Sequence, residues 1–246
     1  MAHEPLTRES AAADQLDTSA MALAAYAADQ LLNGDPNADV ATPNEQFHWW
    51  QSYLASRLRD LAAAVHLGRP RLFITQVRWC HDALTAKHVE TDSFRQALLA
   101  LAGVVQTEIP GPGAEIAQRY IHAAVEQLPD TPAELPSALD TDTDTGRLAA
   151  MYVLAILEGD RRRAIRLIHD AVADGLNIQS AYLKVLLPAS HEIGQMWHRD
   201  ELSIAEEHFA TATTLMLMSQ LLARNTPQAP NGKTVIVASV TGDRHT

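Results

Sequence analysis

Along most of the chain, apolar residues recur every three or four positions, which is the period of an amphipathic α-helix. Stretches rich in glycine, proline and asparagine interrupt this pattern in the first half of the chain. We therefore predict a mainly α fold that begins with an antiparallel N-terminal helical bundle at residues 1–128, with a sensor or interaction role. The bundle helices are predicted at about 10–33, 44–67, 71–87, 91–109 and 114–128.

A second helical domain is predicted at residues 147–225. It follows an exposed linker at 129–146 that is rich in Pro, Asp and Thr. We expect four helices in this domain, and two of them begin after residues that can cap a helix, Asp160 and Asn177. The sequence therefore predicts a small helical domain whose helices have well-defined ends.

The last helix of this domain carries the strongest signals. Ser203 with Glu206 three positions on forms a capping box at its start. We predict that one stripe of the helix faces the core of the domain. The stripe consists of Ile204, His208, Thr211, Leu215, Met218 and Leu222.

Residues 226–246 differ from everything before them. After a turn-rich linker, the run KTVIVASV (233–240) is continuously apolar and β-branched, which is typical of a buried parallel strand. A lone strand is not stable in water, so it either pairs with another chain or opens an α/β domain. We favour the second, and expect only the first strand of a Rossmann-like domain in this sequence, with the following loop at a position where such folds bind ligands.

Composition and charge exclude several classes of function. The formal net charge of −11 offers no basic surface for unaided binding to nucleic acid, and no DNA-binding motif is present. The run Arg161–Arg163 is interpreted as a solvated helix face. The single cysteine, Cys80, cannot form an internal disulfide and is expected to be buried. No signal peptide or membrane-spanning run is recognised, so we expect a soluble, cytoplasmic protein.

Two histidines stand where a metal could use them. His208 lies just past a helix start, where the helix dipole favours a neutral imidazole, and Glu207 precedes it. His245 follows the predicted strand, with Asp243 two residues earlier as a carboxylate that could orient its ring. Each residue alone has a simpler interpretation: a buried histidine, a solvated glutamate, a core position for Trp197 and a loop without function.

Taken together, these residues form a recognisable set. Trp197 is separated from Glu207–His208 by nine residues, and Asp243-Arg244-His245 looks like the start of an Asp-x-His-x-x-Gly motif. From residue 154 onwards, the chain resembles cobalamin-binding modules of the methionine-synthase type, and most closely the CarH-like cobalamin photoreceptors. Further matching residues are Leu157, Gly159, Asp160, Ala164, Gly175, Tyr182, Pro188, Ala189, Ile193, Gly194, Ala205, Ala210 and Thr211.

The resemblance implies a role for each site residue. His245 would be the lower axial ligand of cobalt, and Asp243 would orient it. Trp197 and Glu207 would pack against the 5′-deoxyadenosyl group, and His208 would coordinate cobalt from above once light has broken the cobalt–carbon bond. The implied cofactor is cobalamin, with adenosylcobalamin preferred and methylcobalamin as the other form.

The chain also departs from this family. Asp200 stands where the family usually has glycine, and the sequence stops at Thr246, before the last glycine of the motif. The resemblance does not extend to the first 130 residues, which show no DNA reader of the MerR kind.

Three functions follow as hypotheses. The first is a cobalamin-binding, light-responsive regulatory protein that acts through a protein partner or as a homo-oligomer, and for it we favour a regulatory over an enzymatic role without deciding between them. The second is a corrinoid carrier protein of a methyltransferase system, which has no need for a histidine such as His208. The third is a helical interaction protein without cofactor, in which Trp197 and His208 belong to the core.

Overall fold

The computed structural model describes residues 8–34, 43–131, 136–224 and 232–238. The chain divides into two compact units, Met1–Ala133 and Glu134–Thr246. The secondary structure of the described residues is helical, so the fold is mainly α, as predicted. None of the described helices combines the length and apolar composition that crossing a membrane requires.

The helices of the first unit pack around a core of leucine, alanine and phenylalanine side chains. They are α1 (Arg8–Thr18), α2 (Ala20–Gly34), α3 (Pro43–His66), α4 (Pro70–Ala86), α5 (Thr91–Glu108) and α6 (Pro112–Glu126). The predicted helix at 10–33 is divided at Ser19 into α1 and α2. The other predicted helices are observed close to their predicted positions because the 3.6-residue pattern and the Gly and Pro stops are local signals.

The second unit has its own core, built largely from alanine, isoleucine and leucine. Its helices are α7 (Asp144–Leu157), α8 (Arg161–Ala173), α9 (Ile178–Ala181), α10 (Leu187–His198) and α11 (Ile204–Arg224). A π-helical turn, Tyr182–Leu186, joins α9 to α10 without a break. Pro188 is the second residue after this turn, and the wider turn relieves the clash that a proline ring makes with an α-helical carbonyl four residues earlier.

The predicted caps Asp160 and Asn177 are confirmed, whereas the first helix of the unit begins at Asp144, before the Arg147 start expected from the sequence. The side chain of Asp160 accepts a hydrogen bond from the Arg163 amide at 2.8 Å, and Asn177 accepts one from Ser180 at 2.7 Å. A third cap, Thr143 at the start of α7, was not predicted from the sequence.

Helices α3, α4, α7, α8 and α10 end in the same way. The residue after the C-cap has positive φ, its amide bonds to the carbonyl three residues back, and the next amide bonds to the carbonyl five residues back, which is a Schellman motif. Glycine takes the left-handed position at residues 68, 159 and 175. In two cases the residue is His88 or Asp200, with φ of 63° and 61°.

The strand predicted at 233–240 is not observed in the described part of this run. Residues 232–238 form no strand, and Val235, Ile236 and Val237 are 81–91% exposed. Because a strand needs a neighbour to satisfy its backbone, and the described ranges offer no other strand, this part of the fold prediction is not supported. Residues 239 and 240 lie outside the described residues.

Candidate functional site

The orientation of α11 differs from the sequence prediction. The buried side chains of α11 are Ala210, Thr213, Thr214, Leu217 and Leu221. The stripe predicted to face the core instead lies largely in solvent: Ile204 is 63% exposed, Leu215 45% and Leu222 67%. His208 also has an exposed side chain, and only Thr211 and Met218 are half-buried. The prediction of an inward stripe is therefore wrong, and this helix turns much of its large apolar surface outwards.

Threonine hydroxyl groups make the inner face of α11 suitable for burial. Thr213 and Thr214 donate hydrogen bonds to the carbonyls of Phe209 and Ala210, one turn earlier, at 2.7 and 2.9 Å. The Thr214 Oγ1 atom also lies 2.9 Å from the hydroxyl of Tyr152, which is fully buried on α7. Burial raises the pKa of Tyr152. A polar cross-link therefore joins α7 to α11 inside the core.

A groove runs along the C-terminal half of α11. The hydroxyl of Tyr182, in the π-helical turn, donates to the Met218 carbonyl at 2.7 Å and so fixes one wall of the groove against the other. The groove has a volume of about 1170 Å³ and opens to solvent. Its lining residues are Asn177, Ile178, Gln179, Tyr182, Leu183, Leu215, Met218, Ser219 and Leu222. Part of the outward stripe of α11 thus belongs to a concave, mostly apolar surface.

The first two turns of α11 hold an oriented histidine. Nδ1 of His208 lies 2.6 Å from Oε2 of Glu207, and the Thr211 hydroxyl donates to Oε1 of the same carboxylate at 2.8 Å. The Glu207 side chain is mostly buried, whereas that of His208 is 60% exposed. A carboxylate that holds one ring nitrogen of a histidine is the usual arrangement for orienting the other nitrogen towards a metal.

The capping box predicted at the start of α11 is confirmed. The Ser203 amide donates to Glu206 Oε2 at 2.8 Å, and the Glu206 amide donates to the Ser203 hydroxyl at 3.3 Å. The Ser203 hydroxyl also donates to the carboxylate at 2.7 Å. The hydrogen bond from the Ser203 hydroxyl, and to a lesser extent the one from the Ser203 amide, holds the pKa of Glu206 below its usual value.

Trp197 lies in the last turn of α10, a helix that packs against α11. Its side chain is half-buried against the core of the second unit. The following turn is the Schellman motif in which Asp200 takes the left-handed position. This conformation is favourable for glycine and costly for most other residues, so Asp200 occupies a position that glycine would suit better.

The comparison with known families bears on this unit. Residues 148–222 match the family model for the B12 binding domain. This match supports a cobalamin-binding module in the second unit. No curated protein and no solved structure gave a significant match to the chain.

The described part of the module fits a cobalamin in two respects. The outward face of α11 offers apolar side chains that can cover a large, flat ring and exclude water from it. The Glu207–His208 contact offers an imidazole in a fixed orientation beside that surface. In the described ranges, no three His, Cys, Asp or Glu side chains converge on a metal, whereas a corrin brings its own ring of nitrogen ligands.

The remaining predicted site residues, Asp243 and His245, lie outside the described residues. Their roles on the lower face stay predictions.

Sequence reasoning also missed a buried polar cluster in the first unit. Arg57 donates from Nε to Asp60 Oδ2 at 2.8 Å and from Nη1 to Cys80 Sγ at 2.5 Å, and its guanidinium lies 4.9 Å from the Tyr53 ring centre. Burial raises the pKa of Cys80, and Arg57 opposes this rise. Cys80 is buried, as expected, but the arginine that contacts it gave no signal in the sequence.

Proposed function

We propose that the outward face of α11 covers the upper face of a bound adenosylcobalamin, and that the protein is a light-responsive regulator that acts through protein contacts. The observation that carries this proposal is the pairing of an oriented histidine with outward apolar side chains on one helix. His208 and Glu207 lie at the start of this face, and Ile204, Leu215 and Leu222 extend it. A helix that packed only for stability would bury those leucines.

The residues of α11 have separate roles in this proposal. His208 would supply an imidazole to the upper side of the cofactor after illumination. Glu207 accepts a hydrogen bond from Nδ1 of His208 and so directs Nε2 outwards, and Thr211 holds the Glu207 carboxylate in place. Trp197 and Glu207 would flank the 5′-deoxyadenosyl group in the dark. When bound, adenosylcobalamin supplies a cobalt–carbon bond that visible light breaks.

His245 would hold the lower side of the cofactor, and Asp243 would orient its ring. This assignment rests on the resemblance of Asp243-Arg244-His245 to the start of the cobalamin motif. His245→Ala changes only the lower side of the proposed site and leaves the α11 residues intact. It therefore tests the contribution of His245 to cobalamin binding separately from that of α11.

The decisive experiment loads the full chain with adenosylcobalamin in the dark and records absorption spectra before and after green light. We expect a spectral change on illumination. His208→Ala should keep dark binding and lose the imidazole-ligated end state. His191→Ala, an exposed histidine on α10, serves as the matched control and should behave as the unmodified protein. A spectrum that light leaves unchanged contradicts the photoreceptor proposal, and failure to bind contradicts cofactor binding by this chain.

Two further measurements separate the alternatives. A change of molecular mass on gel filtration between dark and illuminated protein, with or without a candidate regulator, supports regulation through protein contacts. Methyl transfer from the methylcobalamin-loaded chain to a thiol acceptor supports a corrinoid carrier instead.

A further inference from the structure

The segment that leads into α7, residues 137–143, is fixed at its C-terminal end. The hydroxyl of Thr143 donates to the carbonyl of Asp140 at 2.9 Å and accepts from the amide of Gly146 at 3.1 Å. A Cβ atom added to Gly146 would lie 1.7 Å from the Asp140 carbonyl oxygen, so only glycine allows this approach. We call residues 137–143 the strap. Its end next to α7 has little freedom to move alone.

Glu192 of α10 fixes the other end of the strap. Its Oε2 atom accepts from the hydroxyl of Ser137 at 2.9 Å and from the amide of Ala138 at 2.7 Å. The Glu192 side chain is only 12% exposed, so water screens these contacts weakly. Hydrogen bonds from a backbone amide to a carboxylate are among the stronger ones in proteins. The strap is therefore held to α10 by a specific, mostly buried contact.

The same carboxylate faces the end of α10. Oε1 of Glu192 lies 3.7 Å from an Arg199 guanidinium nitrogen, and Arg199 also contacts Glu201 through two nitrogens, at 2.8 and 3.2 Å. Arg199 is the C-cap of α10. In the same turn, the Trp197 carbonyl accepts the amide of Asp200 at 3.1 Å. The Arg199 side chain lies between the carboxylates of Glu192 and Glu201 and thus connects Glu192 to the turn that carries Trp197.

We propose that Glu192 is a positioning residue that couples the strap to the Trp197 end of α10. A displacement of the strap moves Glu192, and through Arg199 it changes the placement of the Trp197 indole. The coupling is reciprocal, so a change at Trp197 reaches the chain that precedes α7. The significance of this coupling for signalling rests on the proposed function, since it gives a change at the cobalamin face a route into the preceding part of the chain.

The coupling is tested on the full chain without cofactor. The protein is labelled with 5-fluorotryptophan, and the Trp197 resonance is assigned from the Trp197→Phe variant. Ser137→Ala changes only the strap, and we expect it to shift the ¹⁹F resonance of Trp197. Glu192→Ala should shift it further and should speed hydrogen exchange of the Ala138 amide about tenfold or more, because that amide loses a charged acceptor.

Two controls separate positioning from a local structural role. Glu192→Gln keeps an oxygen acceptor for the strap and should largely restore protection of the Ala138 amide. Glu201→Ala removes the other partner of Arg199 and leaves the contact of Glu192 with the strap, so the Ala138 amide should stay protected. If neither Ser137→Ala nor Glu192→Ala moves the Trp197 resonance, the coupling does not exist. The same conclusion follows if Ala138 exchange is unchanged in Glu192→Ala.

These readouts do not depend on cobalamin. A chain that shows the coupling and fails to bind adenosylcobalamin contradicts the proposed function and leaves the positioning role of Glu192 intact. A chain that binds and responds to light with an unmoved Trp197 resonance in both variants contradicts the coupling alone.

Discussion

Both faces of α11 carry large apolar side chains, whereas the outer face of a surface helix is usually polar. The inner face is built from alanine, threonine and two leucines, and the outer face carries isoleucine, histidine, methionine and two further leucines. Leu215 and Leu217 show the contrast within one turn, since Leu217 is fully buried and Leu215 is 45% exposed. The inner face combines its buried leucines with small side chains and with the hydrogen bond between Tyr152 and Thr214, which joins α11 to α7.

Under the proposed function, stability and cofactor binding use opposite sides of the same helix. Residues on the inner face should affect folding with or without cofactor. Those on the outer face should matter little for folding, because they leave water only when something covers them. The following predictions test this separation.

The largest effect is expected from Leu217→Ala on the inner face. Removing a fully buried leucine side chain should lower the free energy of unfolding of the second unit by about 2–5 kcal/mol. Leu215→Ala, two residues away on the outer face, should cost about 0.5 kcal/mol or less. Urea unfolding curves give the free energy of unfolding of both variants. Hydrogen exchange of the α11 amides shows whether the change lies in the second unit.

The effects of the two substitutions on cobalamin affinity should have the opposite order to their effects on stability. Leu215→Ala should weaken binding by the full chain more than Leu217→Ala does at a temperature where both variants are folded. Equal losses of stability from the two substitutions would show that the faces do not differ as described.

Tyr152→Phe tests the polar cross-link of the inner face. We expect a loss of about 1 kcal/mol, because a buried hydrogen bond to Thr214 disappears while the ring still fills its site. A double-mutant cycle with Thr214→Val isolates the pair and should give a coupling energy of similar size. Additive effects of the two substitutions would mean that the contact contributes nothing to holding α11.

The sequence predicted the ends of helices well because those signals are local. Asp160, Asn177 and the pair Ser203 and Glu206 act within one turn of their own backbone, and all are confirmed. Glu207–His208 could also be singled out from the sequence, since adjacent residues share the start of one helix. The support that Thr211 gives to Glu207 could have been found from its i,i+4 spacing.

The orientation of α11 could not be predicted in the same way. Apolar periodicity gives the more apolar side of a helix, and the prediction assumed that this side is buried. Thr213 and Thr214 look polar in sequence, yet each satisfies its hydroxyl within the helix and can enter the core. Nor does periodicity reveal whether a β-branched run such as Val235–Val237 has a neighbouring strand, because that depends on distant residues.

Asp200→Gly tests the turn between α10 and α11. This turn leads into α11 and so positions the first residues of its inner and outer faces. Glycine adopts positive φ without a steric cost, so we expect a gain in stability of about 0.5–1 kcal/mol. Asp174→Gly is the matched control, because Asp174 is the C-cap of α8 with φ of −79° and glycine there should destabilise. The melting temperature distinguishes the two. A loss of stability in Asp200→Gly would show that the aspartate side chain outweighs the strain of its backbone.

The smallest effect is expected at the first turn of α11 and depends on pH. The pKa of Glu206 is lowered in the folded chain, so its contribution to stability is present above the pKa it has when unfolded and is lost as pH falls through the folded value. Ser203→Ala removes the hydroxyl that lowers this pKa, and the acid side of the stability curve should then become flatter. A control at Ser219, whose hydroxyl donates to the Leu215 carbonyl on the outer part of α11, should leave the curve unchanged. If Ser203→Ala lowers stability equally at all pH values, the cap acts through the serine alone and the Glu206 carboxylate contributes no pH dependence to the start of the helix.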